Sequence, residues 1–204
     1  MRIRSRPRTG FTLIEALVAI GIMALAGSVL LLASQTSLDA TDDAAKQAIA
    51  QGICEQVLDE IMSKRYMEAG STYNQNTLSH GAGETTRLSY DDSDDFNGYS
   101  VQPIQGTYGE TLGTGNDAGG QRHANFRIAS GFFSKWRLRV NVYYVSSNDL
   151  SVRLDNPAIA AGSVLSSTSG YRAAEATVEF QDTDGSYKPL AQGRRVYAYI
   201  PPPT

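Results

Sequence analysis

The sequence predicts an α+β fold, with one long N-terminal helix laid on a C-terminal antiparallel sheet. Three observations carry this reading. An apolar run, Phe11 to Ala33, continues without a proline into an amphipathic stretch reaching about Glu68. Three later segments alternate apolar and polar residues at the period of half-buried strands. Between the two parts, from Gly70 to about Arg87, glycine, serine, threonine and asparagine dominate, as in loops.

The helix comes first. No proline occurs between Pro7 and Pro103, so nothing forces a break. The apolar run of about 23 residues would span a bilayer as a helix of about 34 Å. A polar patch (Ser34, Gln35, Thr36, Ser37) follows, and then a stripe of Ala45, Ile49, Ile53, Val57 and Ile61. Cys54, Leu58 and Met62 widen that stripe, as expected for a helix face laid on a core. Asp42 with Lys46 and Glu60 with Lys64 are acid-before-base pairs at i,i+4, each favouring helix by a few tenths of a kcal/mol. Gly27 and Gly52 are the soft points, each costing about 1 kcal/mol against alanine. Unbroken from Phe11 to Glu68, the helix would measure about 87 Å.

The strands come next. Trp136, Leu138, Val140, Val142 and Tyr144 share one face, with Arg137, Arg139, Asn141 and Tyr143 opposite. Ala174, Ala176, Val178 and Phe180 alternate with Glu175, Thr177, Glu179 and Gln181. Val196, Ala198 and Ile200 alternate with Arg195, Tyr197 and Tyr199. Tyr99 to Ile104 adds a further short strand. Asp182-Thr183-Asp184-Gly185 supplies turn residues for a hairpin between the last two long strands. The sheet needs a cover for its apolar face, and the amphipathic half of the helix is the available one. The organisation is therefore a basic leader (1–10), a transmembrane and assembly segment (11–33), an amphipathic extension (34–69) and a globular domain (70–204).

Charge narrows the partners. The whole chain carries −3; without the four arginines of residues 1–10, 14 basic residues face 21 acidic ones, about −7. No nucleic-acid partner is expected of such a surface, because that binding is driven by Lys and Arg neutralising phosphates. Cys54 is the one cysteine, so no intramolecular disulfide forms. Its neighbours Ile53, Val57 and Leu58 cast it as a small core hydrophobe. Arginines before an apolar run keep the leader cytoplasmic and send residues 34–204 outward.

One residue does not fit the apolar run. Glu15 is its single charge, and a charged side chain deep in a bilayer costs about 2.5–3.5 kcal/mol on insertion scales. Such a group is a functional hypothesis by default. It sits in Gly10-Phe11-Thr12-Leu13-Ile14-Glu15-Ala16-Leu17-Val18-Ala19, which resembles the N-terminal signature of type IV prepilins and type II secretion pseudopilins. The resemblance covers about Arg4 to Ala33. From Ala45 to Ile61 the chain also looks like pseudopilins of the secretion I type, a minor subunit, although any amphipathic helix shows a similar stripe.

The resemblance implies a pilin-like fold and a life cycle. A prepilin peptidase would cut after Gly10 and methylate the new N-terminal residue, Phe11. Glu15 would neutralise the amine of a neighbouring subunit during assembly. Implied partners are the prepilin peptidase, other pilin or pseudopilin subunits, an inner-membrane assembly platform and the lipid bilayer. The implied location is the bacterial inner membrane, single-pass, with the C-terminal domain in the periplasm or carried into a filament. The alternative is a signal-anchored extracytoplasmic binding domain that does not polymerise. A secretory signal peptide has a similar basic-then-apolar plan, but its apolar part is shorter and a small-residue cleavage site follows it. Neither alternative gives Glu15 a reason.

Few other stretches of the chain suggest chemistry. Asp91, Asp92, Asp94 and Asp95 crowd one loop. The ordinary reading is a solvated acidic loop before a strand; the other is a calcium (Ca2+) site, since calcium takes six to eight oxygen ligands. No other cofactor is expected. Asp182-x-Asp184-Gly185 fails as an EF-hand loop, because its register puts Phe180 and Ala191 at ligand positions. Gly113-x-Gly115 follows no strand and opens no helix. His80 and His123 lack metal-ligand spacing. No catalytic residue emerges, and the chain is not expected to be an enzyme.

Overall fold

The computed structural model describes residues 12–113, 116–117, 120–121, 123, 125, 127–129, 131–155 and 161–201. The chain divides into two units, Met1–Ala45 and Lys46–Thr204. Helix α1 (Leu13–Met62) begins in the first and ends in the second. The remaining elements are strands β1 (Ser100–Val101), β2 (Asn116–Asp117), β3 (Gly120–Gln121), β4 (Trp136–Tyr144), β5 (Tyr171–Gln181) and β6 (Tyr187–Ala198), with 3-10 turns at Arg87–Ser89 and Asp94–Phe96.

In the first unit, the apolar part of α1 is bare. Leu13, Met23, Leu25 and Leu31 are each at least 70% exposed, and none of the most apolar window is buried. Among the described residues, α1 is the one helix long and apolar enough to cross a membrane. Water does not tolerate an unbroken sleeve of leucine and isoleucine, so length and composition fit this segment to a bilayer.

In the second unit, the rest of α1 covers a four-stranded antiparallel sheet ordered β1-β4-β5-β6. The core face of the helix is Ala50, Ile53, Cys54, Val57, Leu58 and Ile61, narrower at its start than the sequence stripe: Ala45 and Ile49 stay exposed. Trp136, Leu138, Val140 and Val142 of β4 and Ala174, Ala176 and Val178 of β5 meet it. The register sets Leu138 against Val178, Val140 against Ala176 and Val142 against Ala174, so one pleat surface is continuous and apolar. Each fully buried leucine- or valine-sized side chain contributes about 1.5–3 kcal/mol. Alanines on β5 and Gly193 on β6 leave room for the helix to approach. A Cβ on Gly193 would lie 2.8 Å from Leu58 Cδ1 and 3.5 Å from Cys54 Cβ. Cys54 is fully buried, its Sγ 3.5 Å from the Ala176 carbonyl oxygen.

Several boundaries differ from the sequence reading. The helix stops at Met62 instead of about Glu68, because the backbone beyond it is captured by another segment. The Arg65 N–H donates to the Asp91 carbonyl (3.3 Å), and the Ser93 N–H donates to the Arg65 carbonyl (2.8 Å). Strand β5 begins at Tyr171, three residues earlier than its alanine alternation indicated. Strand β6 starts at Tyr187, well before Arg195, and ends at Ala198, while the strand sought at Tyr99–Ile104 shrinks to β1. A register shift between Val178 and Glu179 lies within the β5–β6 pairing.

Candidate functional site

Of the residues assigned to processing and assembly, Gly10 and Phe11 lie outside the described residues, as does the leader; Glu15 lies within them. Glu15 sits in the first turn of α1. Its Oε2 accepts the Thr12 N–H at 2.9 Å and the Thr12 hydroxyl at 2.9 Å. In return the Glu15 N–H donates to Thr12 Oγ1 at 3.3 Å. This is a capping box, with a threonine N-cap and a glutamate three residues on satisfying each other's backbone donors. The Thr-x-x-Glu spacing was open to view in the sequence, where the isolated charge overshadowed it. A carboxylate at the start of a helix also meets the positive end of the helix dipole.

The acidic loop is a second locus, and it is not solvated. Asp92, Asp94 and Asp95 are 1%, 2% and 2% exposed. The expectation of a solvated loop is corrected, and the reason is local wiring. Asp95 Oδ2 accepts the backbone N–H groups of Asp91 (2.9 Å) and Asp92 (3.1 Å). Asp92 Oδ1 accepts the N–H of Asp94 at 2.9 Å. These bonds replace water for backbone donors that burial would otherwise orphan. Asp91 pairs with Arg65.

Asp94 binds Arg172, which sequence reasoning missed. Arg172 is fully buried on β5. Its Nη1 donates to Asp94 Oδ1 at 2.8 Å and to the Tyr66 carbonyl, and its Nη2 donates to the Tyr144 hydroxyl at 3.1 Å. The guanidinium lies 4.2 Å from the Tyr66 ring centre. Tyr66 in turn packs on Tyr197 and Tyr199, with ring centres 5.7 and 5.5 Å apart. The node thus fastens the chain just beyond α1, the acidic loop and three strands of the sheet (β4, β5 and β6) to one another. A lone arginine in an alternating strand carries no signal of this, since its partner stands 78 positions away.

The carboxylates that converge are not the four expected. Glu68, Asp91 and Asp92 form one group able to place oxygens within 4.8 Å of each other, and Glu84, Asp91 and Asp95 form another. Asp94 is instead committed to Arg172. A cavity of about 210 Å³ lies here, lined in part by Glu68, Gln75, His80, Asp92, Asp94 and Asp95. Among the described residues no cation lies within ion-pair distance of Asp92, Asp95 or Glu84. Burial, reinforced by Asp94 and Asp95, pushes the Asp92 carboxyl up to about 8. Burial raises Asp94 too, with the Arg172 guanidinium pulling against it.

Residues 5–31 match the prokaryotic N-terminal methylation motif. No curated protein and no solved structure matches the chain. The matched motif is the prepilin and pseudopilin signature, and here it heads a long apolar helix followed by a four-stranded antiparallel sheet. The chain thus carries the prepilin and pseudopilin signature at its N-terminus and has a pilin-like α+β layout. Its motif and helix fit a single-pass membrane anchor, and the motif implies a processing peptidase and pilin-like subunit partners.

Proposed function

We propose that this chain is a structural subunit of a type II secretion pseudopilus or a type IV pilus, without catalytic chemistry of its own. The observation that carries the reading is the methylation motif at 5–31 set on an unburied apolar segment of α1, up to Ala33, whose one charge is Glu15. In this reading, cleavage after Gly10 frees the Phe11 amine, which is then methylated. The apolar half of α1 holds the subunit in the inner membrane until it is drawn into a filament. There Glu15 of one copy faces the Phe11 amine of the next, and residues 70–204 face outward in the periplasm. Mass spectrometry of the membrane-extracted protein tests this, and N-methylated Phe11 is the expected N-terminus. An intact Met1, or a terminus near Ala33, would overturn it in favour of a signal-anchored or secreted domain.

The two carboxylate groups that share Asp91 support a second proposal, a calcium site in the acidic loop. The donors fit a hard cation: all are oxygens, and each group offers three carboxylates, one of them Asp91 in both, to an ion that takes water for the rest. Bound calcium would add positive charge where the carboxylates outnumber Arg65 and Arg172. Millimolar calcium should raise the thermal unfolding midpoint relative to a chelator, by the mass-action stabilisation of any ligand that binds only the folded state. Asp91→Asn should remove most of that rise. An unchanged midpoint in wild-type protein rules the site out.

A further inference from the structure

We infer that the cavity walled by residues 85–88 and 105–109 is a binding site for a neutral saccharide unit. It holds about 390 Å³, the size of a small-molecule site. Arg87, 6% exposed at the head of its 3-10 turn, lines it. Its Nε donates to Glu60 Oε1 at 3.0 Å, its Nη2 donates to Glu60 Oε2, and its Nη1 donates to the Gln105 carbonyl at 3.0 Å. This two-pronged pair cancels the charge that would otherwise draw an anion into the cavity. Of the five guanidinium N–H groups, two are left for the neighbouring Tyr99 phenol and a ligand hydroxyl.

The walls carry the chemistry that suits a polyol. Among the described residues, the Thr85 hydroxyl, the Gln105 amide and the Tyr108 hydroxyl line the cavity and make no hydrogen bond. The Thr107 hydroxyl donates to Glu60 Oε2 at 3.3 Å, so its oxygen still has lone pairs to accept with. Together these groups both donate and accept, as each sugar hydroxyl does. Tyr108 supplies the apolar half of the match. It is 57% exposed, and the C–H face of a sugar ring packs flat on an aromatic ring, whose negative face attracts C–H hydrogens. Leu88, exposed on the other wall, adds apolar surface. An inorganic anion would leave both apolar side chains unused. An aliphatic ligand would cover the hydroxyls and the amide without pairing them, at the cost of their desolvation. A ring with hydroxyls on its edge and C–H groups on its face satisfies both sets. Such a site lies within the globular unit and is independent of filament assembly.

The test uses the full chain in a detergent without a sugar headgroup. Immobilised glycans ending in neutral hexoses or N-acetylhexosamines are compared with their sialylated and sulfated forms. Free neutral monosaccharides are read by saturation-transfer NMR. Neutral termini and at least one free monosaccharide should bind, and acidic termini should bind no better. Tyr108→Ala and Gln105→Ala should each weaken binding several-fold at an unchanged thermal unfolding midpoint, and Tyr108→Phe should lose less than Tyr108→Ala. Tyr73→Ala, which removes an exposed ring outside the cavity, should bind as wild type does. The site is overturned if no neutral sugar binds, or if Tyr108→Ala and Gln105→Ala bind as wild type does. A preference for acidic termini overturns the neutral class, and binding confined to long glycans overturns the single ring.

Discussion

Arg172→Met should destabilise the globular unit by about 3–5 kcal/mol, the cost of removing one partner from a buried ion pair. The geometry puts this substitution at the severe end. Arg172 is 0% exposed and Asp94 2%, so the carboxylate left behind cannot turn to water. The Tyr66 carbonyl and the Tyr144 hydroxyl would lose their donor as well. Asp94→Asn placed on the same chain should recover much of the loss, because an amide in that position carries no unpaired charge. Urea unfolding of the detergent-solubilised chain would report both. The single tryptophan, Trp136, is 1% exposed on the core face of β4, and its fluorescence follows the unit directly. An Arg172→Met chain whose stability stays within about 1 kcal/mol of wild type, the scale of an exposed ion pair, would show that the node is decorative.

Legibility in the sequence followed the physics of each element. Strand β4 could be read to the residue, since Trp136 to Tyr144 alternates without interruption and its apolar face is the core. Strand β6 could not. Pro189 and Gly193 interrupt its pattern, and Gly193 lies where the helix comes too close for a side chain. A position whose task is to be empty leaves no apolar mark. The α1 stripe was visible from Ile53 to Ile61, but its end was not, because the stop is imposed by the 91–93 segment and not by a local breaker. In the acidic loop, four aspartates in five positions were plain, and their burial was not. Each buried one has a specific task, either capping a neighbour's N–H or balancing Arg172, and only three-dimensional proximity reveals which.

Gly10→Val and Glu15→Ala should both abolish filament incorporation, through failures at different steps. Valine at position 10 puts a branched side chain at the bond to be cut, where glycine lets the protease approach the backbone closely. The expected product is an uncleaved chain with Met1 intact, anchored in the membrane and lacking the Phe11 amine. Glu15→Ala leaves the cleavage site untouched, so the expected product ends in methylated Phe11 and stays in the membrane as a monomer. Removing the carboxylate makes the anchor more apolar, by less than the roughly 2.5–3.5 kcal/mol that a charge at the helix centre costs on insertion scales, because Glu15 lies in the first turn. Membrane retention should therefore hold or improve while assembly is lost, which separates a missing counter-charge from a damaged anchor. A chain that is merely signal-anchored predicts the opposite pattern: neither substitution would change its N-terminus, and neither would have a filament to lose. Mass spectrometry paired with filament shearing distinguishes all three cases. The glutamate carries the sharper test, because its capping box accounts for the start of the helix and gives no reason for assembly to fail in a chain that is still cleaved and anchored.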